Sequence, residues 1–362
     1  MQSQVKTLDF TGQNIYTGID THKKNWRVSI YSEELHHKTF HQPPKPEILF
    51  RYLAKHFPNG TYYSVYEAGY CGFWIHEQLL FHGINSIVVN PADVPTTDRE
   101  KKQKSDSVDS NKLARHLRNG DLDAIYIHSR DILEDRSLIR MRSTLVKEIT
   151  RYKNRIKSDL SFFGIEIPEQ YHKDQQYWSN KFIQWISELE FNQESGTDAF
   201  RILVNQVKYL RKELLEVNKK IRALSRNEYY RTRAELLISI HGIGLITAMV
   251  ILTEIDDIHR FSNQEKLTSY VGLTPTSHSS GDNQVHGEMV NRGNKYVKKA
   301  IIEAAWVAAR VDPVLHMDFV AYSRRMKKNK AIVRIASKLL NRVNFVLKNK
   351  VPYNDGAEYD PI

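Results

Sequence analysis

The stretch KSDSVDSNKLARHL, Lys104 to Leu117, carries two aspartates three positions apart, Asp106 and Asp109. Apolar residues recur at helical spacing along it, which predicts an amphipathic helix that Ser105 and Ser107 can cap. Side chains three apart share one face of a helix, so both carboxylates leave on the same side. Such a pair can bind a divalent cation, and magnesium prefers oxygen ligands of this kind. The alternative is that acidic residues only favour the helix N-terminus because of its dipole.

Two further carboxylates follow predicted strands closer to the N-terminus. The segment NIYTGIDTHKKNWRVSI, Asn14 to Ile30, predicts two short strands around a turn, and Asp20 ends the first of them. Glu67 directly follows TYYSVY, Thr61 to Tyr66, which is rich in strand-forming residues. Further helices and a strand are predicted at 46–56, 73–82 and 86–89. This alternation predicts an α/β domain over residues 1–130, with functional groups beyond the carboxyl ends of its strands.

The length, net charge and cysteine count of the chain restrict the class of protein. A chain of 362 residues is long enough for two or three domains, and a net charge of +11 favours a polyanionic partner, most simply nucleic acid. Cys71 is the only cysteine, which excludes a disulfide framework and a thiolate zinc cluster and is typical of a reducing cytosol. The chain contains neither a run of eighteen apolar residues nor a recognisable signal peptide. We therefore expect a cytoplasmic protein that does not span a membrane.

Residues 131–230 have the apolar spacing of two long helices. The repeats consist of Leu138, Met141, Leu145, Ile149, Tyr152 and Ile156, and of Leu203, Val207, Leu210, Leu214, Val217, Ile221 and Leu224. They predict an antiparallel coiled-coil arm, interrupted at about 165–197 by a segment whose role the sequence does not assign. Lys147, Arg151 and Arg155 make the first helix basic and are candidate nucleic-acid contacts. The alternative is that these charges form only the solvated face of the coiled coil.

Residues 231–362 are mainly helical in their pattern. LLISIHGIGLITAMVILTEI, Leu236 to Ile255, predicts a helix-hairpin-helix in which Gly242 and Gly244 allow close approach of a phosphate, or else a plain helical hairpin. A glycine- and serine-rich loop is predicted at 267–293, between two helices. Helices are predicted at 294–310 and 331–347, with a candidate nucleic-acid-binding cluster between them that includes Arg324, Arg325, Lys327 and Lys328.

Seven short motifs, taken together and in order, resemble one family over nearly the whole chain. They are GIDTHK (Gly18–Lys23), YEAGY (Tyr66–Tyr70), NPADV (Asn90–Val94), KSDSVDSNKLA (Lys104–Ala114), SIHGIG (Ser239–Gly244), YVGLTPTSHSSG (Tyr270–Gly281) and NRGNKYVKKA (Asn291–Ala300). The chain resembles the DEDD-type insertion-sequence transposases, which are recombinases guided by a bridge RNA and related to Piv-type DNA invertases.

The resemblance implies a RuvC-like, RNase H-like first domain whose acidic residues bind Mg²⁺. By motif position these are Asp20, Glu67, Asp106 and Asp109. It also implies a nucleophilic serine before the glycine of the C-terminal loop. That position is Ser280, with Ser279 as the neighbouring alternative.

In the family the acidic domain and the serine loop form a composite site. The serine attacks a DNA phosphate, and the covalent phosphoserine link conserves the energy for rejoining. We therefore expect donor and target DNA, a bridge RNA, and a homodimer or tetramer in which the site is completed.

Other functions remain open from the sequence. An RNA-independent invertase would use the same residues. A metal-dependent nuclease or junction resolvase would need only the four carboxylates. A non-catalytic nucleic-acid-binding protein would need only the basic arm and the helix-hairpin-helix.

Overall fold

The chain separates into two units, Met1–Ile127 and His128–Ile362. The computed structural model describes residues 8–96, 106–172, 177–280, 283–289 and 292–354, and it describes only the backbone at 106–107, 275–280 and 283–289. The predicted division into three domains, with the arm separate from the C-terminal domain, stays a prediction.

The first unit is built on a five-stranded mixed sheet with the strand order β3-β2-β1-β4-β5. Its strands are β1 Asn14–Thr21, β2 Trp26–Tyr31, β3 His36–Gln42, β4 Thr61–Glu67 and β5 Asn85–Val89, and its helices are α1 Pro46–His56, α2 Trp74–Phe81 and α3 Asp106–Asn119. Strand β1 is antiparallel to β2 and parallel to β4, and β4 is parallel to β5. This confirms the predicted partly parallel sheet and is compatible with a RuvC-like domain.

The edge strand β3 was not predicted from the sequence. Its residues, HHKTFHQ, are mostly exposed or half-buried, and it pairs only with β2 in the described sheet. An exposed edge strand needs few apolar residues, so the alternation that marks a strand is weak here.

Helix α3 packs directly on the backbone of β1. A Cβ atom at Gly18 would lie 2.1 Å from the carbonyl oxygen of Ser110 and 2.4 Å from the backbone nitrogen of Ala114. Two hydrogen bonds fix the helix there, between the hydroxyls of Ser29 and Ser110 at 2.9 Å and from the Tyr31 hydroxyl to Asn111 Oδ1 at 2.7 Å. Only glycine at position 18 permits this approach.

The second unit is mostly helical. Its helices are α4 Arg130–Phe162, α5 Asn180–Ser187, α6 Glu194–Leu224, α7 Arg231–Ile238, α8 Leu245–Ile255, α9 Gln264–Val271, α10 Lys295–Val311, α11 Pro313–Arg325 and α12 Lys328–Asn349, and its strands are β6 Pro275–Ser280 and β7 Asn283–Met289. Helix α11 was not predicted from the sequence. Across the described ranges, no helix combines the length and the apolar character needed to cross a membrane.

The two long helices α4 and α6 run antiparallel. Early α4 meets late α6, since Arg142 Nε donates to Asn218 Oδ1 at 2.9 Å, whereas Leu160 shares a core with Phe200. The predicted interruption between them contains α5 and part of a small core of its own, in which Phe182 is fully buried. The segment therefore forms a packed cap on the far end of the helix pair.

Residues 267–293 do not form the predicted loop. They contain the end of α9 and then the two-stranded antiparallel sheet of β6 and β7. The expectation of a loop was wrong because TPTSHSS and NQVHGEM carry almost no apolar residues. The pairing of their backbones defines these strands.

Glu254 joins four helices of this unit, three through its buried carboxylate and the fourth through its backbone carbonyl oxygen. Glu254 of α8 is fully buried, and Arg140 of α4 donates to it from Nε and Nη2, both at 2.7 Å. Asn294, which caps α10, donates to Glu254 Oε2 at 2.8 Å, and Tyr270 of α9 donates to the Glu254 carbonyl oxygen at 2.8 Å. The bond to Glu254 is the main reason that the pKa of Arg140 is raised.

Replacing Gly18 by alanine tests the packing of α3. The new methyl group would overlap the helix backbone, so we expect the free energy of unfolding to fall by about 1–3 kcal/mol. Urea unfolding followed by circular dichroism measures this. The matched control is Gly69→Ala, because a Cβ atom there meets nothing closer than the Glu67 carbonyl oxygen at 4.0 Å. Equal losses in the two variants would contradict the constraint.

Replacing Glu254 by glutamine tests the buried ion pair. It leaves the Arg140 guanidinium facing a neutral amide, and we expect the free energy of unfolding to fall by about 3–5 kcal/mol. Glu134→Gln is the control. The Arg130–Glu134 pair lies on α4, the helix of Arg140, and it is exposed, so its loss should change the free energy of unfolding by less than about 1 kcal/mol. Thermal and urea unfolding compare the two variants, and similar small losses would show that the network is not needed for stability.

Candidate active site and nucleic-acid contacts

Asp20 and Glu67 lie at the carboxyl ends of neighbouring parallel strands. In the pairing of β1 with β4, Ile19 stands opposite Tyr66, and both of these side chains are buried on one face of the sheet. Because side chains alternate along a strand, Asp20 and Glu67 leave from the opposite face. That is the face on which α3 packs, since Val65 shares a buried cluster with Leu113 of α3.

Asp109 lies on the side of α3 that faces the sheet. It precedes Leu113 by four residues, or about one helical turn. The ammonium of Lys112 lies 3.6 Å from Asp109 Oδ1, and the Lys112 side chain is only 8% exposed. This buried cation offsets part of the negative charge on this side of α3. The side chain of Asp106 lies outside the described part of the structure.

Two residues to which the sequence analysis gave no role lie beside Asp20. His22 Nε2 is 3.2 Å from Asp20 Oδ2. The hydroxyl of Tyr70 donates to the Thr21 carbonyl oxygen at 3.2 Å. The pKa of Tyr70 is raised by desolvation and then by the neighbouring Cys71 and Asp20. The signal in the sequence was their place inside the GIDTHK and YEAGY motifs.

The described carboxylates fit magnesium by the chemistry of their donors. Asp20, Glu67 and Asp109 offer only oxygen atoms, which hard divalent cations prefer. Among the side chains that the structure describes, no three or more His, Cys, Asp or Glu residues are grouped closely enough to hold a metal ion. Asp20, Glu67 and Asp109 therefore share one face of the sheet without forming a metal-binding group by themselves.

Ser280 is the last residue of β6. It pairs with Asn283, the first residue of β7, next to residues 281–282, which lie outside the described ranges. The side chains of Ser279 and Ser280 are also outside the described part. The backbone thus places both serines at the tip of a β-hairpin, and the choice of Ser280 stays a prediction.

Two glycines meet at the base of this hairpin. A Cβ atom at Gly272 would lie 2.6 Å from the Arg292 carbonyl oxygen, and one at Gly293 would lie 2.7 Å from the backbone nitrogen of Gly272. The backbone N–H of Asn294 donates to the Tyr270 carbonyl oxygen at 2.7 Å. The two ends of the hairpin are therefore held in backbone contact, which the sequence did not predict.

The two glycines of the Gly-Ile-Gly turn have different surroundings. Gly242 has a φ of +90°, and a Cβ atom there would lie 2.6 Å from the Ala304 carbonyl oxygen of α10, so this glycine is needed for helix packing. Gly244 precedes α8, is exposed, and has nothing within 4 Å of the place a Cβ would take. Of the two predicted phosphate contacts, only Gly244 has open space beside it.

The basic residues predicted on the arm differ in their surroundings. Lys147 is exposed, Arg151 Nη1 lies 3.3 Å from Glu148 Oε1, and the Arg155 guanidinium lies 5.0 Å from the centre of the Tyr152 ring. A second exposed group lies where α11 ends and α12 begins, and it consists of Arg324, Arg325, Lys327 and Lys328. Both groups are accessible to a polyanion.

Comparison with known proteins gives two family models in the order of the chain. Residues 17–164 match a DEDD transposase model of IS110 type, and residues 234–319 match a model described as the transposase IS116/IS110/IS902 family.

The relatives extend across most of the chain. The protein y4rJ of Sinorhizobium fredii, named as a candidate transposase, is 27% identical over 76% of this chain and 74% of its own length. The transposase for insertion sequence element IS1533 of Leptospira borgpetersenii is 24% identical over 69% of this chain and 72% of its own. The transposase for IS1111A of Coxiella burnetii is 23% identical over 76% and 74%.

The first model includes Asp20, Glu67, Asp106 and Asp109, and the second includes the turn at Gly242 and the whole β6–β7 hairpin. Both models and the relatives agree on one family. The family that they support is the IS110/IS116 family of DEDD transposases.

Proposed function

We propose that this chain is a transposase that cuts, exchanges and rejoins DNA strands at specific sites. The observation that carries the proposal is the meeting of β1, β4 and α3, which directs Asp20, Glu67 and Asp109 to one face of the sheet. The same residues lie within the matched DEDD model. Carboxylates that share one face of a sheet repel one another, and a bound cation would offset that repulsion.

The four carboxylates Asp20, Glu67, Asp106 and Asp109 would hold Mg²⁺. When bound, the metal supplies charge stabilisation at a phosphate and favours loss of a proton from a nearby nucleophile. The protein contributes the placement of the ligands, since Gly18 lets α3 lie against β1. Lys112 keeps part of the negative charge balanced near Asp109.

Ser280 would be the nucleophile. Its Oγ forms a bond to the phosphorus of a DNA phosphodiester, the bond from phosphorus to the leaving DNA oxygen breaks, and that oxygen takes the proton lost by the serine. A free hydroxyl on a partner strand then attacks the phosphoserine and releases Ser280. The covalent link conserves the energy of the phosphodiester bond, so no ATP is required. The terminal position of Ser280 in β6 supports this role because it leaves the residue at the tip of the hairpin.

The proposal extends to a bridge RNA that selects donor and target DNA, and to a homodimer or tetramer. The net charge of +11 and the exposed basic group at the α11–α12 junction support a large nucleic-acid partner. Base pairing by the RNA would supply the sequence specificity, while the protein would contact backbone and shape. An invertase that works without RNA is the alternative within the same chemistry.

A metal-dependent nuclease or junction resolvase is the second candidate. The carboxylates at the ends of β1 and β4 favour it, because two-metal hydrolysis requires no serine. The two candidates differ in whether a protein–DNA bond forms.

Replacing Ser280 by alanine distinguishes the two candidates. We expect loss of the covalent protein–DNA product and a fall in strand cleavage of at least about a thousandfold, because the nucleophile is absent. The measurement uses end-labelled donor and target DNA with Mg²⁺, with and without the RNA encoded beside the gene, and gel mobility before and after protease. Ser279→Ala is the matched control and should keep activity. Cleavage that survives Ser280→Ala would support the nuclease.

Replacing Asp109 by asparagine tests the metal-binding role. Loss of one charged ligand should weaken the response to Mg²⁺ and lower the cleavage rate by at least about a hundredfold. Cleavage is measured as a function of Mg²⁺ concentration, and a chelator should abolish it in the wild-type protein. Asp123→Asn is the control, because Asp123 is an exposed carboxylate of the same unit beyond α3. An unchanged Mg²⁺ dependence in Asp109→Asn would exclude this ligand.

A further inference from the structure

We propose that a cleft between α4, α8 and α10 binds a backbone phosphate of nucleic acid. The cleft has a volume of about 340 Å³. Its lining includes Arg142 and Lys147 of α4, Thr247 of α8, and Lys295, Lys299 and Glu303 of α10. Of these, only Lys147 was a candidate nucleic-acid contact from the sequence.

The charge of the cleft suits an anion. Four cationic side chains, Arg142, Lys147, Lys295 and Lys299, line it against one carboxylate, Glu303. The Lys299 ammonium lies 3.6 Å from Glu303 Oε1, but both side chains are more than half exposed. A pair this exposed is weak and can exchange for a contact with a phosphate.

The first turn of α8 contributes to the same cleft. It begins at Leu245, and its residues Ile246 and Thr247 line the cavity. The preceding residue, Gly244, has no side chain with which to accept hydrogen bonds from the first N–H groups of the helix. A phosphate oxygen can accept them, and the partial positive charge of the helix end adds to the attraction.

The N-terminus of α10 differs from that of α8 because a side chain already caps its first N–H groups. Asn294 Oδ1 already accepts from the N–H groups of Tyr296 and Val297, at 3.0 and 3.1 Å. Helix α10 therefore offers the cations Lys295 and Lys299 rather than backbone donors. A phosphate in the cleft would meet backbone N–H groups from α8 and cationic side chains from α4 and α10.

Arg142 is held in place before any ligand arrives. Its Nε donates to Asn218 Oδ1 of α6 at 2.9 Å, so the guanidinium is oriented by the neighbouring helix. Burial lowers its pKa, and the charge of Glu303 partly offsets this. Further negative charge in the cleft would stabilise the guanidinium in the same way.

We assign the phosphate to a polymer because a net charge of +11 favours a polyanionic partner. The inference rests on the proposed function only for the kind of polymer, DNA or RNA, that the protein meets. Binding itself is tested in chelator, without catalysis. Failure of the serine mechanism and failure of the cleft are therefore separate results.

The experiment measures binding of the full chain to a fluorescent DNA duplex and to an RNA duplex of equal length, in chelator and over a range of salt concentrations. The variant is Lys295→Gln with Lys299→Gln, both exposed positions. We expect affinity to fall about tenfold and the slope of log affinity against log salt to become shallower by about 1–2. The control is Lys55→Gln with Lys266→Gln, an equal change of charge at exposed lysines outside the cleft.

Thr247→Glu is a second variant that separates binding from folding. A carboxylate in the first turn of α8 is favourable for the helix dipole, so thermal stability should be kept or raised. The same carboxylate would stand where a phosphate binds, so affinity should fall. A loss with DNA alone, RNA alone or both supports the cleft and identifies its polymer. Affinity and salt slope equal to those of the control on both duplexes would overturn the proposal.

Discussion

The backbone contact between α3 and β1 is the constraint on which the carboxylate site depends. Gly18 has no side chain, so the Ser110 carbonyl oxygen and the Ala114 nitrogen lie where a Cβ atom would stand. Because the helix sits this close, Leu113 reaches Val65 and the turn before it presents Asp109 to the sheet. Asp20 and Glu67 meet this face by the alternation of their strands. The charged residues of GIDTHK and KSDSVDSNKLA are thus related by the glycine of the first motif and the small residues of the second.

In the second unit a single buried charge has a comparable role. Glu254 draws Arg140, Tyr270 and Asn294 into one network, because a fully buried carboxylate must be neutralised and hydrogen-bonded. Asn294 also starts α10 and closes the base of the β6–β7 hairpin. Along the chain, the β6–β7 hairpin with Ser280 therefore ends shortly before Asn294, and the α10 residues of the proposed phosphate cleft begin directly after it. Arg140 and Arg142, two residues apart, serve the network and the cleft respectively.

Most elements of the fold could be predicted from sequence where a buried face gave a period. The strands at β1, β2, β4 and β5 and the long helices α4 and α6 were of this kind. The edge strand β3 and the β6–β7 hairpin, whose sequences are mostly polar, were missed or misread. Helix α11 was missed although Leu315, Phe319 and Tyr322 form a helical face toward the core. For the candidate site, the motifs supplied Asp20, Glu67, Asp106, Asp109 and Ser280. They gave no indication of Lys112, whose role follows from burial beside Asp109.

The sequence by itself determined the residue types, their order and the family, because motifs and periodic apolar positions are local properties of the chain. Only the tertiary structure decided which of the two glycines in the Gly-Ile-Gly turn has open space beside it. Gly242 faces α10 and Gly244 faces open space, although they are two residues apart. It also decided that Lys295 and Lys299 line a cleft with Arg142, more than 150 positions earlier in the chain. Such groupings depend on which helices pack together, and that depends on distant partners such as Glu254 and Arg140 rather than on neighbours in sequence.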